Sequence, residues 1–382
     1  MILDRRTRLE SLRALLAGFP VVVWLQALLL SGLGLVFIHS ATLYVEDGSG
    51  ATARQALALV FVPGLAAALA YLGRRRVLDL APVLYVLVLL MLVALLFYGA
   101  KINGARRWFR LGPLSLQPSE FVKPALILML ARLLRFETEG RLLRGLIVPL
   151  GLTLVPMLLM ARQPDLGSAL ALLPVTLAMA WVGGVRGRNL AVVVLGFAVL
   201  TFVLFPFLHG YQKERILVWL DQAHMTGTQA HGAGYHLQQS LIAVGSGGVF
   251  GDGLFEGIQN RYDFLPYRET DFLFSVVAEE TGLLGGGLLV LLYSGLCIAI
   301  FWLGAGIRDR FGRLIAAGVG VYFLTHLAIH VGVTTGLLPT TGLPLPRLSY
   351  GRSSTTAAWL ALALFAHALV HRERNLSRDR YL

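Results

Sequence analysis

Long apolar runs alternate with short polar breaks along the whole chain. Runs near 16–40, 53–73, 78–99, 119–135, 145–161, 165–184, 189–208, 271–303, 313–337 and 354–371 lie close to the roughly 20 residues that cross ~30 Å of hydrocarbon as a helix. The pattern predicts an all-α polytopic membrane protein with about ten transmembrane helices, organised as a single integral domain over 1–382. The stretch 209–270 is much longer than the other breaks and forms a long extracytoplasmic loop between the seventh and eighth spans. Within it, Leu237-Gln-Gln-Ser-Leu-Ile-Ala-Val244 predicts a short amphipathic element and Gly245-Ser-Gly-Gly-Val-Phe-Gly251 a tight turn.

Composition agrees: 56% of residues are hydrophobic and 14% charged, too little polar surface for a soluble domain of this size. Cys297 is the only cysteine, which excludes disulfides and cysteine metal clusters within the chain. Charge then orients the spans. Arg74-Arg-Arg76, the Arg132–Arg144 and Arg186–Arg188 turns, the Arg308–Arg313 turn and both termini fall on one side, cytoplasmic by the positive-inside rule. The first apolar run is too long for a signal-peptide core and is expected to remain as an uncleaved span.

The outer loops nevertheless carry Arg106, Arg107, Arg110, Arg162, Lys213, Arg215, Arg261, Arg268, Arg347 and Arg352. Basic residues placed against the topological bias suggest an anionic ligand outside, phosphate or pyrophosphate, because a guanidinium presents a planar fork of donors; snorkelling stems are the plainer explanation. The glycine run 245–253 lacks a following GK[ST] and a preceding strand, so it is no nucleotide loop, and no nucleic-acid partner is expected. No HExxH or similar ligand set occurs, although a carboxylate together with a phosphate would suit Mg²⁺ or Mn²⁺.

Carboxylates at helix mouths are the candidate chemistry. Asp271 opens the eighth span, where it is either a functional group or a helix-start charge with Thr270 as cap. Glu120 and Lys123 share a face at i and i+3, either as an ion pair or with Lys123 reaching a substrate phosphate. Asp165 follows Pro164, where helix capping competes with cavity lining. Glu279 and Glu280 lie deeper in the eighth span and read as structurally paired. Ser349 and Ser353 belong to a Pro-, Gly- and Ser-rich approach to the last span, allowed at membrane depth where it lines a cavity or packs on protein.

The strings Gly104-Ala-Arg-Arg-Trp108, Gln117-Pro-Ser-Glu120 with Lys123, Gln163-Pro-Asp-Leu-Gly167, Ala243-Val-Gly-Ser-Gly-Gly248, Phe264-Leu-Pro266, Thr270-Asp-Phe272 and Ser349-Tyr-Gly351 resemble the RodA/FtsW/SpoVE (SEDS) family, in order and over most of the chain. Phe264-Leu-Pro266 after Gln259-Asn260, with Gln212-Lys-Glu-Arg215 upstream, looks more like RodA. The resemblance implies a peptidoglycan glycosyltransferase of the bacterial cytoplasmic membrane that polymerises lipid II into glycan beside a class B penicillin-binding protein. It places the family's essential aspartate at Asp271 and implies substrate contacts at Glu120, Lys123, Asp165, Arg107, Arg215, Ser349 and Ser353. A lipid II carrier and a non-catalytic scaffold for a penicillin-binding protein are the competing functions. The chain departs from the family at Arg352, where Gly is usual, at Glu269, where His is usual, and at His330 and Arg347.

Overall fold

A computed structural model of the protein describes residues 18–44, 49–102, 105–112, 114–136, 143–207, 210–222 and 232–371. The basic termini, Gly104 and the loop segment 223–231 lie outside the described residues. In chain order the elements are α1 (Val21–Thr42), α2 (Ser49–Leu69), α3 (Arg74–Tyr98), β1 (Ala100–Ile102), β2 (Ala105–Leu111), β3 (Leu114–Leu116), α4 (Pro118–Leu134), α5 (Val148–Arg162), α6 (Leu166–Leu170), α7 (Leu172–Val182) and α8 (Gly187–Leu204). There follow α9 (Gly210–Leu220), α10 (Ala233–Ser246), α11 (Ile258–Arg261), α12 (Leu273–Ala305), α13 (Arg310–Thr334) and α14 (Arg352–Val370).

Seven helices among the described residues are long and apolar enough to span a membrane. The shorter apolar stretches Leu166–Val182 and Gly187–Val203 and the 17-residue α4 occupy the other positions that hydropathy marks. α4 starts where Pro118 supplies a preset φ at its first turn and Glu120 complements the positive end of the helix dipole. The apolar window of α14 is 83% buried and that of α13 67%, against 17% for α2, so α13 and α14 form the centre while α2 faces outward. α12 packs on α13 and α1, and α4 is enclosed by α3, α7, α13 and α14. An apolar cavity of about 290 Å³ opens between α2, α3, α4 and α14, lined by Leu69, Leu84, Phe121 and His367 among others.

The strands were not anticipated. β1, β2 and β3 form an antiparallel meander between α3 and α4, with Ala100 opposite Trp108 and Phe109 opposite Leu116. Their signal is weak because the strands are only three to seven residues long.

The glycine-rich run between α10 and α11 has a structural role of its own. α12 is broken at Gly282, whose backbone (φ 65°, ψ −165°) is non-helical. Two helical bonds that would link Leu283 and Leu284 to the carbonyls of Glu279 and Glu280 are replaced by four to the loop. The N–H groups of Asp252 and Gly253 donate to the Glu279 and Glu280 carbonyls at 3.0 and 3.1 Å. Leu283 and Leu284 donate to the carbonyls of Gly248 and Val249 at 2.9 and 3.2 Å. Backbone groups exposed by a break in a membrane helix need such partners, because hydrocarbon offers none. The approach demands glycine: a Cβ on Gly251 would lie 2.3 Å from the Glu280 carbonyl oxygen, and one on Gly282 2.4 Å from the Gly251 nitrogen.

Candidate active site

Asp271 sits in the turn that leads into α12. Its N–H donates to the Tyr267 carbonyl at 3.0 Å, and the helix cap is Phe272 rather than Thr270, so neither Thr270 nor Asp271 is spent on capping. The carboxyl is half-buried, and a Cβ on Gly342 would come within 3.3 Å of its Oδ2, so the carboxylate rests against the segment that precedes α14. Burial raises its pKa from 3.8 to about 6; Arg215, the Thr270 hydroxyl and Arg107 oppose that rise, while Glu269 adds to it.

Two guanidinium groups therefore act on this carboxylate from separate elements. Arg215, on α9, donates to the Thr340 carbonyl at 3.2 Å, which ties the long connection between α8 and α12 to the Gly336–Gly351 segment. Arg107, on β2, donates from Nε to the Gln163 carbonyl at 3.1 Å and from Nη2 to the Pro164 carbonyl. Its Nη1 lies 3.8 Å from Asp165 Oδ1. Asp165 occupies the N-cap position of α6 but makes no side-chain cap bond, and its Oδ2 is buried without a partner. Capping does not account for this residue. Positioning falls to His330, whose Nδ1 faces the Leu343 carbonyl at 3.1 Å while Nε2 accepts from Phe274 N at 3.4 Å; these bonds set the tautomer and join the start of α12 to the same segment.

Residues 20–374 match the family described as Cell cycle protein, FtsW/RodA/SpoVE. The chain belongs to the FtsW/RodA/SpoVE family. It is 37% identical to "Peptidoglycan glycosyltransferase MrdB" of Escherichia coli K12 over 294 residues, 77% of this chain and 78% of that relative. Among solved structures, it resembles a chain from a peptidoglycan synthase complex that coordinates polymerization and crosslinking, with 32% identity and a TM-score of 0.79 over 94% of this chain and 99% of that one. It also resembles the rod shape determining protein RodA of Thermus thermophilus, with 31% identity and a TM-score of 0.70 over 94% and 98% of the two chains.

The other expected site residues of this FtsW/RodA/SpoVE chain divide into two groups. Glu120 and Lys123 do pair, at 2.7 Å, and are 0% and 2% exposed. Lys123 Nζ also lies 5.9 Å over the Tyr322 ring, and Glu120 Oε2 has no partner. Ser353 Oγ accepts from Gln117 N at 3.0 Å and lies 3.4 Å from the Ser115 carbonyl, so it fastens α14 to β3 instead of capping its own helix. Ser349 Oγ accepts from Leu345 N at 2.9 Å inside a buried turn, which commits its hydroxyl to backbone geometry.

Glu279 and Glu280 are structural, but not as a charge pair. Glu279 accepts from Gln259 N at 2.7 Å, and Glu280 accepts from Ser40 Oγ and, at 3.4 Å, from Asn260 Nδ2, so both anchor the segment that holds α11. Sequence reasoning missed His236. It lies half-buried on α10 against Tyr267 and Phe272, with ring centroids at 5.6 and 6.4 Å, and burial and Arg215 lower its pKa. Its available signal was its place beside Gly234-Tyr235, at the start of the amphipathic element.

Proposed function

We propose that the chain, a peptidoglycan glycosyltransferase of this family, polymerises lipid II at the outer face of the bacterial cytoplasmic membrane, with both termini cytoplasmic. The reading rests on one observation: a half-buried carboxylate with a raised pKa on which two guanidinium groups act from different elements. The acceptor sugar's 4-hydroxyl attacks the donor's anomeric carbon. A C1–O4 bond forms, the bond from C1 to the lipid pyrophosphate breaks, and the hydroxyl proton passes to Asp271. Burial suits Asp271 to that task by making it a stronger base than a solvated aspartate. Arg107 and Arg215 offer the departing pyrophosphate fixed positive charge, so no second carboxylate is needed as an acid.

A divalent cation fits the donor set. Asp165 Oδ2 is a buried acceptor without a partner, and carboxylates together with substrate phosphate oxygens are the oxygen environment that Mg²⁺ prefers. No group of three or more His, Cys, Asp or Glu side chains suited to a metal occurs among the described residues, so any cation would depend on substrate oxygens. When bound it would supply further neutralisation of the leaving group. Similarity to a chain of a peptidoglycan synthase complex supports a partner, and we assign a class B penicillin-binding protein to that place, with a role in elongation supported by the RodA-like Phe264-Leu-Pro266 string.

The test is polymerisation of labelled lipid II by purified protein, with and without a class B penicillin-binding protein. Wild type should give muramidase-sensitive polymer, Asp271→Ala none, and Asp271→Asn none while keeping its unfolding midpoint. Full activity in either variant would remove Asp271 as the base. Absence of polymer from folded wild type in every combination would favour a carrier or a scaffold. Activity unaffected by a chelator would remove the cation.

A further inference from the structure

Arg347 lies at the centre of the molecule in circumstances that an arginine rarely tolerates. It is 1% exposed, and its φ of 83° is in the left-handed region that favours glycine. Its guanidinium stacks 3.9 Å over the Trp359 ring on α14 and lies 5.8 Å from the Phe323 ring on α13. Nε, Nη1 and Nη2 all lack hydrogen-bond partners among the described residues, and no carboxylate there forms an ion pair with them. Glu120 is engaged by Lys123. Burial pushes the Arg347 pKa down to about 9, against the support of Tyr322 and Tyr293, so the group is still charged at neutral pH.

The unpartnered polar atoms nearby are of two kinds: beside Tyr322 lie the acceptors Glu120 Oε2 and His326 Nε2, the His326 ring being 4.8 Å from that of Tyr322, whereas the Trp359 side offers a donor. Trp359 Nε1, a donor only, is buried and unpartnered, as is the Tyr322 hydroxyl, while the Tyr293 hydroxyl already donates to the Pro346 carbonyl at 3.1 Å. On the Trp359 side an unmet donor therefore meets an uncompensated cation. Stacking on two aromatic rings offsets only part of the desolvation of a charge. Water would satisfy the donors but leave the charge unbalanced, and the enclosure excludes a lipid headgroup. We propose that Arg347, with Trp359 Nε1, binds a small inorganic anion, chloride, as a buried counter-ion between α13, α14 and the segment before α14. Arg347 is not among the charged groups that act on the Asp271 carboxylate.

The experiment compares the unfolding midpoint of the full-length protein in detergent as chloride replaces gluconate at constant ionic strength. Wild type should gain about 2–4 °C for a tenfold rise in chloride, and Arg347→Met should show no chloride dependence. Crystals of wild type grown in bromide should give an anomalous peak between Arg347 and Trp359, a readout that does not depend on the variant folding. Equal wild-type midpoints in the two salts, a dependence that persists in Arg347→Met, or the absence of a bromide peak would each overturn the site.

Discussion

At the residue scale, Asp271 carries a prediction whose sign follows from its environment. Because burial lifts its pKa to about 6, the base form accumulates as pH rises through about 6, and the polymerisation rate should rise with it. The stability contribution runs the other way. The folded state holds this proton more tightly than the unfolded chain, so the contribution is complete below about 3.8 and is lost as pH rises through about 6. Arg215→Gln removes a charge that lowers the pKa, so the acid limb of the pH–rate profile should move to higher pH; an unmoved limb with reduced rate would leave Arg215 only a substrate contact. Asp271 and the Glu120–Lys123 pair stand out in the sequence as charges at helix mouths against an apolar background, and Arg107 and Arg215 as basic residues placed against the topological bias. Ser349 and Ser353 are expected from the sequence to contact substrate, and their bonds to Leu345 N and Gln117 N are not legible there, since a hydroxyl's partner is fixed by backbone geometry that composition does not encode. The buried environment of Arg347 was equally hidden, because an arginine near an outer loop reads as solvated until its neighbours are known.

At the scale of elements, helices were the easiest to read, because a membrane allows few alternatives to an apolar run of about 20 residues. The meander β1 to β3 and the break in α12 were not read. The break has no proline, and Gly282 lies in a helix already rich in glycine, so only the docked loop distinguishes it. That docking gives a second prediction. Gly251→Ala introduces a Cβ 2.3 Å from a backbone oxygen at a residue with φ of 82°, where the left-handed backbone alone costs about 1–2 kcal/mol. The unfolding midpoint should fall by several degrees and polymerisation should drop with it, whereas Gly245→Ala, which meets nothing within 4 Å, should leave both near wild type. Equal effects from the two substitutions would show that the backbone approach is unimportant.

At the scale of the whole molecule, the proposed active site is assembled from β2, α6, α9, the turn before α12 and the segment before α14, so it forms only when distant parts of the chain have packed. Its proposed exposure to the outer face can be checked by labelling. Cys297 is buried and is the chain's single cysteine, so background reactivity should be low. Arg106→Cys, in an exposed position on β2, should react with an impermeant maleimide added outside intact cells; reactivity from the cytoplasmic side alone would invert the topology. The Glu120–Lys123 pair has a different weight: buried as it is, it is held by the surrounding helices, and losing one partner would strand a charge at a cost of about 3–5 kcal/mol. The joint between the glycine run and α12 also has a kinetic consequence. Asp252, Gly253, Leu283 and Leu284 are bonded across the joint, so their amides cannot be released one at a time by fraying along a single helix. In hydrogen exchange they should behave as one unit, opening together and at a common rate, although thirty residues separate the two halves.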